Sequence, residues 1–401
     1  MKYCSGGERM IRSCTWLAGM LWLAATFALA EPKPVGVSWP EEAWVRSTPA
    51  AEGLDAEAIA GMDADIQAGK LGNVDSMTII RHGRVVFEGR YKWDYRAQHQ
   101  GLVHPSPPPW DYFNAEAYPW HEGSTLHTMQ SVTKSVMSAL IGIAIERGDL
   151  PGLDATLGEL LPHRNITDPE IRAIRLENVL TMTAGIDWEE ANSYFDLSND
   201  ATASEATDDW VGFLLAKPVG APQGTVFDYN TAASQMLSEL LTVATGIPTN
   251  LYAERYLFDP IGITNYFWNT APEGYINAGS GLFLAAEDLA RFALLYAQKG
   301  QWRDQQVIPV DWIERSSTAW IPVEPDDEAG WGYGYQWWIY RHAGVTSPKM
   351  YGGWGWGGQF PLIVPELGLV AVFTGWNIRE DIEYPYAFDA FYDRLVTEVD
   401  R

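Results

Sequence analysis

An α+β fold is predicted, with one antiparallel sheet built from both chain ends, flanking helices and a mostly helical inserted lobe. Three observations point to it: a period-two apolar hairpin near residue 80, helical patterns over 150–275, and strand patterns that return near the C-terminus. The 401 residues are 47% hydrophobic and 13% aromatic, a globular composition. At that length one large domain, or two intimately packed lobes, can bury a sizeable core.

The elements follow in chain order. "SMTIIRHGRVVFEGRY" (76–91) alternates about a His-Gly turn and predicts a β-hairpin. "HPSPPPWDYFNAEAYPWHEG" (104–123) is rich in proline and aromatics and predicts a loop. From Val132 the stretch "SVTKSVMSALIGIAIERG" predicts an apolar helix carrying Val136, Leu140, Ile143 and Ile145. Residues 150–275 carry mostly helical patterns, among them "ASQMLSELLTVATG" (233–246) with its glycine stop. "AEDLARFALLYAQKG" (286–300) predicts a second amphipathic helix ended by glycine. "YGYQWWIY" (333–340) predicts a strand, "FPLIVPELGLVAVFTGW" (360–376) a hairpin turning at Pro-Glu-Leu-Gly, and "YPYAFDAFYDRLVTEV" (384–399) a closing helix.

The first thirty residues read as a secretory signal peptide. Lys2, Arg9 and Arg12 form a basic leader, an apolar run follows, and Ala28-Leu29-Ala30 supplies the small residues of a cleavage site. An uncleaved anchor helix fits less well, because the run is short for a membrane span. Both cysteines, Cys4 and Cys14, lie in this segment, so residues 31–401 have no thiol for a disulfide, a metal or a nucleophile. Losing the leader removes three basic residues and one acidic residue, taking the net charge from −25 to −27. That charge disfavours nucleic acid as a partner. The expectation is one exported domain over 31–401, periplasmic or secreted, with no stable membrane anchor after cleavage.

Chemistry centres on Ser131 and Lys134. A three-residue helical spacing places them one turn apart on one face. A helix start directs unpaired amides outward and favours developing negative charge there. Serine is a weak nucleophile until a base stands beside it, and a lysine shielded from water can take or relay a proton near neutral pH. A Ser-x-x-Lys pair alone is also what an N-cap serine with a solvated lysine would look like. The surroundings give it weight. "LHTMQSVTKSVMSALIGIAIERGDLPGLDATLGELLP" (126–162) and "IRLENVLTMTAGI" (174–186) resemble the serine β-lactamase, DD-peptidase and esterase superfamily, with its class C branch the nearest pattern.

The resemblance implies a β-lactamase/transpeptidase-like fold and two further motifs. For Tyr-x-Asn the chain offers Tyr229-Asn230-Thr231, and for Lys-Thr-Gly or His-x-Gly it offers Trp356-Gly357-Gly358. It further implies Ser131 as the acylated nucleophile, Lys134 as its proton partner and Tyr229 as a second acid/base group. The phenol of Tyr229 is expected to deprotonate more readily beside Lys134, and either group can be the base. The oxyanion hole would use the amides of Ser131 and Gln359, with Gly358 allowing close approach of the substrate.

Two departures bear on the substrate. Thr231 and Trp356 stand where the family's β-lactamases carry groups that hold the antibiotic's amide and carboxylate. A hydroxyl at the first of these places is similar to the 6-aminohexanoate-dimer hydrolase and related esterases. An ester or unusual-amide hydrolase is therefore expected ahead of a β-lactamase or D-amino-acid peptidase. Trp354 and Trp356 would form an apolar wall or simply pack. A non-catalytic binding module of the same fold is the contrasting class.

Other constellations carry less. No Gly-x-Ser-x-Gly occurs, although "AGSGL" (278–282) comes near it. His121 and His127 lack metal spacing, and "EPDDEAG" (324–330) lacks the alternation of a calcium loop. No glycine-rich phosphate loop supports a nucleotide, so neither metal nor cofactor is expected, only a small-molecule ester or amide.

Overall fold

A computed structural model describes residues 36–41, 43–103, 123–324, 330–340 and 348–397. The leader, residues 104–122 with His121, and residues 325–329 lie outside the described residues. Among those described, no helix is long and apolar enough to cross a membrane.

The expected hairpin forms from β1 (Val74–Arg81) and β2 (Arg84–Arg90). It turns at His82 and Gly83, both at positive φ. A Cβ on Gly83 would lie 1.9 Å from the Ser38 carbonyl oxygen, so only glycine fits. Strands β3 (Leu126–Thr128), β4 (Tyr266–Trp268) and β5 (Leu282–Ala285) make a small sheet ordered β3-β5-β4, and β6 (Gln301–Trp302) pairs with β7 (Gln305–Gln306). The last third supplies β8 (Ile321–Pro322), β9 (Gly332–Tyr333), β10 (Trp338–Tyr340), β11 (Met350–Gly352), β12 (Phe360–Val364) and β13 (Leu369–Gly375).

The main sheet runs β2-β1-β13-β12-β11-β10-β9-β8. β1 lies antiparallel to β13 with Ile79 opposite Ala371 and Ile80 opposite Val370, so the two chain ends meet in one sheet as expected. Alternation along β13 then divides the core. Val370 and Val372 join Val136, Leu140 and Phe292 on one face, while Leu369, Ala371 and Phe373 join Ile59, Met62 and Phe391 on the other. Because helices cover both faces, the strand is buried at every position and shows no alternation of buried and exposed residues.

Helix α1 (Ala56–Gln67) covers one face; its signal in the sequence is faint. Asp55 caps it through the amides of Glu57 and Ala58, but its buried stripe is only Ile59, Met62 and Ile66, diluted by alanines and acids. On the other face lie α2 (Val132–Glu146), α3 (Thr231–Thr245) and α4 (Ala286–Ala297). Between α2 and α3 the expected helical lobe consists of short helices such as Leu157–Leu160, Leu176–Leu180 and Asp200–Glu205. A bidentate pair ties α3 to this lobe. Arg164 donates through Nε to Oε1 (2.6 Å) and through Nη2 to Oε2 (2.7 Å) of Glu239, whose side chain is wholly buried.

Two expectations are corrected. Residues 333–340 are not one strand: β9 and β10 are separated by a turn in which Gln336 takes φ 62°. The buried Gln336 side chain donates to the carbonyls of Val179 (3.2 Å) and Leu180 (3.0 Å) and accepts from Ser234 (2.7 Å), contacts an unbroken strand could not make. The closing helix starts at Ala387 and not at residue 384, because Tyr384 and Tyr386 line a cavity instead.

Helix α2 is buried from Val132 to Ala144, and Gly142 lets Trp312 lie flat against it. A Cβ at 142 would sit 2.3 Å from the indole. In an exposed helix Gly→Ala stabilises by about 1 kcal/mol. Here Gly142→Ala should instead destabilise, by about 1–3 kcal/mol of overpacking. Thermal unfolding checks the sign: a midpoint that rises would mean Trp312 yields freely.

Candidate active site

Ser131 occupies the N-cap of α2, yet its side chain makes no capping bond. The hydroxyl instead accepts from Lys134 Nζ at 2.8 Å, and the same ammonium donates to the Gly279 carbonyl at 2.8 Å. Lys134 is 1% exposed. Burial pulls its pKa down to about 8, against the partial restoring pull of Glu190 and Glu205. A lysine in that range exchanges its proton readily at neutral pH, which no solvated lysine does. The solvated-lysine alternative is thereby removed.

Tyr229 arrives on the loop before α3, whose N-cap Asn230 accepts from the Ala233 amide at 2.8 Å. Its ring stacks on Trp338 (5.6 Å, 30°), and Lys134 Nζ lies 5.0 Å from the ring centroid. Its phenol is within hydrogen-bonding reach of Ser131. Burial first, and then the negative charge of Glu190, push the Tyr229 pKa well up. Both effects favour the protonated phenol, which runs against the expectation that Tyr229 deprotonates more readily beside Lys134. Nearby Asp228 is pushed up to about 6 by burial and by Glu190, Asp187 and Glu189, so the field at this end of the cleft is negative.

Two participants escape sequence reasoning. Glu190 is buried and accepts from Trp188 Nε1 (2.7 Å), Tyr194 hydroxyl (3.0 Å), Thr231 hydroxyl (2.5 Å) and Thr231 amide (2.8 Å). Nothing in "DWEEANSYF" separates it from its neighbour Glu189. Gly279 belongs to "AGSGL", set aside as a failed nucleophile elbow. Its carbonyl holds Lys134, and a Cβ there would lie 2.6 Å from Thr231 Cγ2. Thr231 is thus not a free substrate-binding hydroxyl; it is committed to Glu190.

The third-motif ribbon also needs correction. Gln359 is wholly buried, its amide donates to Gly355 O at 3.1 Å, and its side chain bonds Gly375 O at 2.6 Å. Its N–H is therefore engaged inside the turn and not aimed at a substrate. The part of the ribbon packed beside the nucleophile lies earlier. A Cβ on Gly355 would be 2.4 Å from Met129 O, and one on Gly353 would be 3.1 Å from Val132. Gly358 sits at φ 112° and holds the turn, while half-buried Trp356 packs on Tyr194 (5.3 Å), Phe195 (5.5 Å) and Trp376 (5.9 Å). Trp354 packs among Trp331, Trp338 and Phe360. His127 is buried, with Nε2 on Asp75 at 3.0 Å, in keeping with a packing role.

Comparison with known proteins agrees with this geometry. The family model described as Beta-lactamase matches residues 68–375. No curated protein sequence matches significantly. Among solved structures, a Bacillus anthracis protein described as a 6-aminohexanoate-dimer hydrolase superimposes with TM-score 0.63 at 17% identity, covering 82% of this chain and 79% of its own. EstCE1, described as a hydrolase with promiscuous acyltransferase activity, gives 0.64 at 17% identity over 84% and 98%. The octameric penicillin-binding protein homologue from Pyrococcus abyssi gives 0.59 at 19% identity over 84% and 76%. At these identities the likeness is one of fold.

Lys134 should titrate near pH 8 when followed by NMR of its labelled side chain. Glu190 raises that value, so Glu190→Gln should move the midpoint lower. A midpoint that stays put would show that Glu190 does not act on the amine.

Proposed function

The chain belongs to the Beta-lactamase family, and we propose that it is a serine hydrolase with Ser131 as its nucleophile and an ester or unusual amide as its substrate. The observation that carries the assignment is the 2.8 Å contact between the Ser131 hydroxyl and a lysine buried to 1% exposure. Neutral Lys134 takes the hydroxyl proton as Oγ attacks the carbonyl carbon. The resulting oxyanion lies at the start of α2, where the Ser131 amide and the helix dipole favour it. If the third motif is Gly353-Trp354-Gly355, the second donor is the amide of the residue that follows it, Trp356. Lys134 then returns its proton through the still-protonated Tyr229 to the leaving oxygen or nitrogen. The acyl-serine forms as that bond breaks, and water reverses the sequence to free the acid.

Thr231 bound to Glu190, with no basic side chain at Gly353 or Trp356, supports an ester or amide ahead of a β-lactam. The names of two structural neighbours, a 6-aminohexanoate-dimer hydrolase and a hydrolase with acyltransferase activity, point the same way. The leader pattern extends the proposal to an exported enzyme, periplasmic or secreted.

A serine-reactive phosphonate should add one adduct to the native protein and none to Ser131→Ala, read by intact mass. Labelling of both proteins alike would remove Ser131 from the mechanism. With p-nitrophenyl esters, kcat/KM should rise with pH to a plateau above about 8, because the base is Lys134 without its proton. Lys134→Ala should lower the plateau by roughly 10²–10⁴-fold. Rapid nitrocefin turnover with negligible ester cleavage would overturn the substrate ranking.

A further inference from the structure

Beside the third-motif ribbon lies a cavity of about 660 Å³ that the chemistry at Ser131 does not use. Trp354, Trp356 and Phe360 form one wall, and Tyr384 and Tyr386 another. Four charged residues line it: Arg379 against the carboxylates of Glu380, Glu383 and Asp389. The cation is already engaged. Arg379 pairs with Asp381 through Nε (3.0 Å) and Nη2 (2.5 Å), and Nη1 donates to Gln98 O at 3.3 Å. Glu380 takes a neutral donor, the Tyr194 amide at 3.1 Å. The cavity is therefore aromatic-walled and negatively charged, with no other basic residue lining it among the described residues.

The cavity also adjoins the cleft. Gly357 and Gly358 line it, and they follow directly on the Gly353–Gly355 stretch that packs beside Met129 and Val132. The two stretches are closed on each other by a turn in which the Gly358 amide donates to Gly355 O at 3.0 Å. Trp356 forms the partition: it faces the cavity, and its ring rests on Tyr194, whose hydroxyl donates to Glu190. A weakly hydrated cation gains from aromatic faces and from the negative field, whereas a carboxylate placed there meets like charge.

We propose that this cavity is the subsite for the part of the substrate remote from the scissile carbonyl, and that it selects a bulky ammonium group over a carboxylate. The inference rests on the acyl-serine reading and adds to it the charge of the substrate.

The test uses three p-nitrophenyl esters of matched length: a trimethylammonio-butanoate, its tert-butyl isostere and the glutarate half-ester, each corrected for spontaneous hydrolysis. The native enzyme should favour the cationic ester over the isostere by about tenfold in kcat/KM, and over the half-ester by more, with the margins shrinking in salt. Exposed Glu383 separates this subsite from the general attraction of an acidic protein. Glu383→Lys should bring the cation-to-isostere ratio close to one, and Glu383→Gln should lower it part of the way. Equal cleavage of cation and isostere, faster cleavage of the half-ester, or a ratio indifferent to Glu383→Lys would overturn the subsite and leave Ser131 standing. Failure of every ester together with no phosphonate adduct would overturn the hydrolase itself, and the subsite with it. If the adduct forms but no ester is cleaved, benzyltrimethylammonium should protect Ser131 from the phosphonate; absence of protection would overturn the subsite.

Discussion

The structure turns on one unfavourable act made tolerable, the removal of a lysine amine from water. Lys134 lies one turn inside a helix that is buried almost throughout, and an unpaired ammonium there would cost several kcal/mol. Two acceptors take it up, the Ser131 hydroxyl and the Gly279 carbonyl, and two buried acids set its charge balance from a distance. What remains of the penalty appears as a lowered pKa. The destabilisation and the reactivity are therefore one quantity seen from two sides. Much nearby exists to hold that arrangement: Gly279 has no side chain because Thr231 occupies its space, and Thr231 is fixed by Glu190.

The sheet supplies the rigidity. Pairing the first hairpin with the last closes a frame in which the third-motif ribbon, joining β11 to β12, reaches the mouth of α2. Gly353 and Gly355 let that ribbon lie directly on the residues flanking the nucleophile, and a Cβ at Gly355 would run into the Met129 carbonyl at 2.4 Å. The ribbon's half-buried tryptophans pack against neighbouring aromatic clusters, Trp354 on Trp338 and Phe360 and Trp356 on Trp376, so the turn is fixed by its side chains as well as its backbone.

Much of this was legible in the sequence, and the failures are instructive. The two hairpins and helices α2, α3 and α4 declare themselves because each carries a strong period and a glycine or His-Gly stop. Ser131 and Lys134 are legible in their helical spacing and Tyr229 only through the family resemblance, and the structure brings all three together. Glu190 and Gly279 were not found, because each acts through a contact 41 or 145 residues away along the chain. The role expected of Gln359 failed for a related reason. Motif spacing counts residues but does not see that a tight turn has already used the amide. The break at Gln336 was hidden by aromatic neighbours that suit a strand equally well.

That break has a mechanical consequence. Gln336 leaves the sheet to bind the carbonyls of Val179 and Leu180 and the Ser234 hydroxyl of α3, while its own carbonyl accepts from Ser135 of α2. One side chain and one carbonyl thus bolt the sheet, the nucleophile's helix and the helical lobe to a common point. Parting the lobe from that point strips three hydrogen bonds at once, from the Gln336 side chain to Val179 O and Leu180 O and from its amide to Leu180 O. Substrates must then be sorted by fit to a stiff cleft and its rim, not by closure of one half of the protein on the other.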